Sequence, residues 1–88
     1  MNINTAYAIV NTQDRNLRRV DGIRFTDNGY EYRLTYRGGF ANYVAIDRRE
    51  IGKRNFKYFG GVGAFHCWNV KQVLELVRDE IRKVAKNG

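Results

Sequence analysis

The stretch Ile23-Arg24-Phe25-Thr26-Asp27-Asn28-Gly29-Tyr30-Glu31-Tyr32-Arg33-Leu34-Thr35-Tyr36-Arg37 spells a β-hairpin with two chemically opposite faces, and its reading decides the fold. At its centre stands Asn28-Gly29. A type I′ turn needs positive φ at both central residues, and these two residue types tolerate it best. Counting outward from the turn pairs Phe25 with Tyr32 and Ile23 with Leu34 on one face. On the other face Thr26 meets Glu31 and Arg24 meets Arg33. The first face is a core surface, and the second is a platform of arginines. Like charges directly opposite each other on a sheet are unfavourable, so the Arg24/Arg33 pair, flanked by Arg37, calls for an anionic occupant.

Downstream, Gly38-Gly39 marks a second turn into Phe40 to Ile46, a run of strand formers that begins a meander. Two registers compete. A two-residue loop turns Val44 and Ile46 to the arginine face, whereas one more residue returns them to the core beside Leu34. The second is favoured, because exposing two aliphatic side chains costs more than accommodating a bulge. Asp47 to Asn55 then reads as a charge-dense loop, Phe56 to Phe59 as a short strand, and Gly60-Gly61-Val62-Gly63 as a flexible connection. That glycine run matches neither the dinucleotide fingerprint nor a P-loop.

The C-terminal segment carries the clearest helical period, with Val70, Val73, Leu74, Val77, Ile81 and Val84 on one face. Asn69 is a good N-cap, Gln72 holds the capping-box position, and Trp68 is placed to staple onto Val73. Upstream, Ile3 to Val10 reads as a strand although Ile3, Tyr7 and Val10 also fit a helix face. Leu17 to Val20 is expected to extend the hairpin's first strand. The expected architecture is therefore α+β, a single domain over residues 1–88: an antiparallel β-meander of four or five strands packed on one C-terminal α-helix.

Composition sets the functional frame. Eighty-eight residues hold one small core, and a hydrophobic fraction of 43% with 14% aromatics argues against disorder. Sixteen Lys and Arg against nine Asp and Glu leave a net charge of +7, which draws polyanions towards so small a body. No apolar run approaches the roughly 20 residues that span a bilayer, and Met-Asn-Ile-Asn-Thr does not begin like a signal peptide. Cys67 is the only cysteine, in keeping with a reducing compartment. The chain is thus expected to be cytoplasmic, a complete small reading frame and not a membrane protein; its oligomeric state is left open.

Two basic groups stand out. Arg24, Arg33 and Arg37 share the hairpin's open face, where guanidinium forks suit phosphates and guanine edges and the intervening Thr26 and Thr35 add hydroxyls. Arg48, Arg49, Lys53, Arg54 and Lys57 place five positive charges within ten residues, a pattern suited to phosphate contact. Solvated charge, with lysines guarding a sheet edge, is the plainer alternative for both groups. Tyr7, Tyr30, Tyr32, Tyr36, Tyr43 and Tyr58, with Phe40, Phe56 and Phe59, form the set from which base-stacking platforms for single strands would come; most are assigned to the core, with Phe40 and Phe59, near turns, the better placed. His66 and Cys67 are adjacent, too few for a metal site and too close in sequence to converge as a catalytic pair. Cys67 stands near a helix N-terminus, where a thiol pKa can be lowered, but a small buried apolar role is the reading preferred for it. There is no serine, and no carboxylate pair suggests acid–base work, so neither enzyme activity nor a cofactor is expected.

In outline this sheet-plus-helix plan resembles the DNA-binding modules of integrase arm-binding type, which lay a three-stranded sheet into the major groove. The likeness spans roughly Gly22 to Ala85 and is one of topology, so no residue is carried over. The expected function is nucleic-acid binding, with duplex DNA contacted through the arginine face and the basic loop. The alternative is a small inhibitor or adaptor of the phage or mobile-element kind, clamping an acidic surface of a host protein or nucleoprotein complex. A third reading is a homo-oligomer paired through strand edges.

Overall fold

The hairpin forms as its turn chemistry dictates. Asn28 and Gly29 take φ of 49° and 86°, and strand β1 (Arg24–Asp27) pairs with β2 (Tyr30–Arg37) in the register Arg24 with Arg33, Phe25 with Tyr32 and Thr26 with Glu31. Just outside the ladder, the Leu34 amide donates to the Ile23 carbonyl at 2.9 Å, which continues the same register. The structure is a computed structural model that describes residues 2, 15–38 and 42–87, with side chains as far as Lys83. The expected strand Ile3 to Val10 lies outside the described residues, as do Gly39 to Ala41 and the Val84 side chain.

Strand β3 spans Tyr43–Glu50 and pairs Leu34 with Ile46 and Tyr36 with Val44. Arg37 pairs with Tyr43, so five residues, 38 to 42, join the strands. An odd number gives the parity that turns Val44 and Ile46 inward, and both are fully buried. Strand β4 (Lys57–Gly63) completes an antiparallel sheet of order β1-β2-β3-β4.

Helix α1 (Val70–Asn87) covers the apolar face. Val70, Val73, Leu74, Val77 and Ile81 are buried in one cluster with Phe25, Tyr32, Leu34, Val44, Ile46 and Val62. Its first turn is closed by side chains: the Gln72 amide donates to Asn69 Oδ1 at 2.9 Å, and the Trp68 amide donates to Gln72 Oε1 at 2.6 Å. Such a cap is worth about 1 kcal/mol.

Four local expectations are corrected. Leu17–Val20 is a 3₁₀ turn and not a strand extension, because Asn16 Oδ1 accepts the Arg18 amide and starts a helical turn. Asp47 to Glu50 belong to β3 and not to a loop, since Glu31 and Arg33 on β2 offer opposite charges to Arg49 and Asp47 across the ladder. The glycine run Gly60 to Gly63 is the second half of β4 and not a flexible connection. Glycine is needed there at Gly61, where a Cβ would collide with the Tyr43 ring lying across the strand. Finally, Trp68 remains 73% exposed, so no staple onto Val73 buries it. The ladder between β3 and β4 slips by one residue between Ile46 and Asp47, leaving Phe59 as the extra residue of a bulge.

Leu34→Ala should lower the unfolding free energy by about 2–5 kcal/mol in urea titrations, as a fully buried core position does. A loss well under 1 kcal/mol would contradict the central place assigned to the β2–β3 register.

Candidate functional site

The pleat sorts the basic residues of β1, β2 and β3 onto two faces. Arg24, Arg33 and Arg49 fall on the side away from α1, together with Glu31 and Asp47. Their guanidinium carbons lie 5.5, 4.3 and 4.4 Å from the centroid of the half-buried Phe56 ring. Carboxylates bind them from within the same sheet: Arg33 Nη2 donates to Asp47 Oδ2 at 3.2 Å, and Arg49 Nη2 to Glu31 Oε1 at 2.8 Å. Arg24 approaches the same Glu31 oxygen more loosely, at 3.9 Å. The Arg24/Arg33 juxtaposition is therefore met by Glu31, Asp47 and Phe56 from the chain itself, and the inference that it requires an outside anion is withdrawn. Each cation–π contact at such a partly exposed place contributes about 0.5–1 kcal/mol, so the cluster works mainly as a clasp that holds residue 56 against the sheet. Arg37, at the far end of β2, is exposed and stands apart from it.

The second basic group converges. Because β3 runs on to Glu50, its last turn and the start of β4 enclose an open cleft of about 760 Å³. Its walls carry Arg48, Arg49, Lys53, Arg54 and Lys57 together with Tyr30, Tyr58 and Phe59, against one acid, Glu50. The turn is tied down at both ends: the Ile51 amide donates to the Gly29 carbonyl at 3.2 Å, and Arg49 Nη1 donates to the Arg54 carbonyl at 3.0 Å. Arg48 points to the opposite face from Arg49, where its guanidinium lies 4.1 Å from the Tyr30 centroid and 4.5 Å from that of Phe59. Its charge also favours the ionised form of the Tyr32 hydroxyl, against the larger effect of burial. Among the described residues, no ion pair engages Lys53, Arg54, Lys57 or Arg37.

All five members of the basic segment thus gather at one cleft, while Arg24 and Arg33 belong to the neighbouring clasp and Arg37 to neither. Two aromatics stand out from the set that the sequence offered for base stacking and mostly assigned to the core. Phe56 is the ring on which three guanidinium groups converge. Tyr58 is 65% exposed at the cleft. The signal for both was the alternation Asp47-Arg48-Arg49-Glu50 against Glu31 and Arg33, which identifies a strand and fixes which side each residue takes. Phe59, a candidate for base stacking, instead packs edge-on against Tyr32 with centroids 5.8 Å apart. Phe40 lies outside the described residues.

Tyr58 is held in place by a short relay. The Tyr43 ring lies over Gly61, and its hydroxyl shares a hydrogen bond with that of Tyr58. That bond, then partial desolvation, raises the Tyr43 pKa, and burial raises that of Tyr32 against the lowering effect of Arg48. Burial, aided by the charge of Glu75, likewise pushes the Cys67 thiol up, in keeping with the apolar role preferred for it over a lowered pKa. Cys67 packs against the core. Among the described residues no group of three or more His, Cys, Asp or Glu could hold a metal ion, and no helix is long and apolar enough to cross a membrane. No protein-family model, curated protein or solved structure matches the chain, so the site is interpreted from its own geometry.

A phenol whose pKa is higher in the folded state binds its proton more tightly there. The stability that Tyr32 and Tyr43 contribute is thus complete below the ordinary value of 10.0 and is lost as pH rises through their folded-state values. Unfolding free energies measured across this alkaline range should decline, and Tyr43→Phe should decline less steeply; an identical slope would dissociate Tyr43 from the effect.

Proposed function

We propose that this protein acts by binding a nucleic acid, with the phosphate backbone held in the cleft by Lys53, Arg54 and Lys57 and by the flanking Arg48 and Arg49. The observation that carries the reading is the convergence of five cations and one carboxylate on a single concavity. Four of those cations have no ion-pair partner among the described residues, and three of the four, Lys53, Arg54 and Lys57, make no cation–π contact there either. Unpaired lysine and arginine that displace condensed counterions supply most of the affinity for a polyanion. The +7 charge of the chain adds long-range attraction.

The reading departs in one respect from a duplex gripped by the sheet face. Arg24 and Arg33 already bind Glu31, Asp47 and Phe56, and an incoming phosphate would have to displace those partners. Arg37 remains available as an outlying contact. The arginine clasp then supports the cleft wall instead of contacting the ligand, with Arg49 shared between the two.

A second reading, an inhibitor or adaptor bound to an acidic surface of a host protein, draws on a different observation. Phe65 and Trp68 are 67% and 73% exposed between β4 and α1, and exposed aromatics of this kind anchor protein interfaces. Pull-down from lysate separates the readings. Partners that vanish after nuclease treatment favour nucleic acid, and a stoichiometric protein that survives it favours the adaptor.

For the first reading, the logarithm of the association constant should fall linearly with the logarithm of salt concentration, by about 0.7–0.9 per phosphate contact. Lys53→Glu combined with Lys57→Glu should flatten that slope by about two contacts' worth and weaken binding, with the unfolding midpoint unchanged. Affinity that is indifferent to salt would rule out the reading.

A further inference from the structure

We infer that the cleft takes a single-stranded polynucleotide, with an unpaired base stacked on Tyr58 and the adjoining phosphates on Lys53, Arg54 and Lys57; this rests on the nucleic-acid reading above.

Three aromatic rings line the cleft, and two of them are already occupied. Tyr30 and Phe59 both lie against the Arg48 guanidinium, at 4.1 and 4.5 Å from their centroids. Tyr58 differs. Its side is open to solvent, and among the described residues no ring or guanidinium lies over it. Yet it is not loose, because its hydroxyl is bonded to that of Tyr43, and Tyr43 can reach it only by crossing a strand position that has no side chain, Gly61. A large flat ring thus lines the same cleft as the unpaired cations, with Lys57 on the other side of the strand, and little rotamer freedom remains to be lost when a flat ligand settles on it.

That combination of a stacking surface beside a cationic groove is how proteins hold single strands. Duplex recognition makes the opposite demand on shape. Its bases are stacked inside the helix and read by a protruding element that enters a major groove about 12 Å wide. Here the cations line an open cleft of about 760 Å³, which offers a concave surface and no protruding element. An acidic peptide would satisfy the lysines but leave the Tyr58 ring without a partner of matching shape.

The test is fluorescence anisotropy of the intact chain with short dye-labelled oligo(dT), oligo(U) and a mixed-sequence duplex of equal length, with polyglutamate as a competitor that carries charge but no bases. Both single strands should bind more tightly than the duplex, and the ratio of the two reports any preference for DNA or RNA. Tyr58→Leu should weaken single-strand binding about tenfold, Tyr58→Phe, which keeps the ring but loses the bond to Tyr43, should weaken it by less, and duplex binding should change little. Circular dichroism should show all three proteins equally folded, since residue 58 is exposed. Duplex binding tighter than single-strand binding, an unaffected Tyr58→Leu, or polyglutamate competing charge for charge with oligo(dT) would each overturn the inference while leaving basic-cleft binding standing. Failure to bind any of the polynucleotides would overturn the nucleic-acid reading together with it.

Discussion

Leu34 faces Ile46 across the centre of the sheet, and both are fully buried in the cluster that α1 covers. This pairing is the constraint on which the rest depends. Side chains alternate along a strand, so once these two are committed to the interior every neighbour is assigned a side. Arg33 and Asp47 are sent outward, Arg48 returns to the margin of the core, and Arg49 goes outward beside Glu31. A slip by one residue would bury the charged set and expose the aliphatic one. The strength of the hydrophobic preference therefore determines the electrostatics of the opposite face.

With that register in place, the outward face of the sheet neutralises its own arginines. Arg24, Arg33 and Arg49 meet two carboxylates and the face of Phe56, which ties the segment after the β3–β4 turn to the open side of the sheet. Exposed ion pairs contribute little individually, from about 0 to 1 kcal/mol, but here they act with an aromatic ring and a backbone bond from Arg49 to Arg54. One consequence is a shaped cleft. Of the described cations outside that internal neutralisation, Lys53, Arg54 and Lys57 share one cleft while Arg37 stands alone at the far end of β2, and a binding surface is best sought where unspent charge gathers.

The hairpin, its turn and its register were legible because they follow from local rules: positive φ at Asn28-Gly29 and strict alternation to either side. The helix was legible for the same reason, its apolar residues recurring at 3.6-residue spacing behind an Asn69 cap. Asp47 to Glu50 were misread because charged residues in sequence resemble a loop; what makes them a strand is the complementary charge of Glu31 and Arg33, some fifteen positions away. Gly60 to Gly63 were misread because glycine is a poor strand former on its own. Only the Tyr43 ring, arriving from a neighbouring strand, explains why a side chain is unwelcome at Gly61.

The basic segment Arg48 to Lys57 was visible as a cluster of charge, but whether its members converge was not. Sequence by itself determined the class of fold, the apolar faces and the excess of positive charge, since each is set by spacing along the chain or by composition. Tertiary structure decided which arginines are neutralised and which cations remain free, and that Tyr58 stands exposed among them. These depend on contacts between strands far apart in sequence, where burial and pairing choose among partners that local pattern cannot rank.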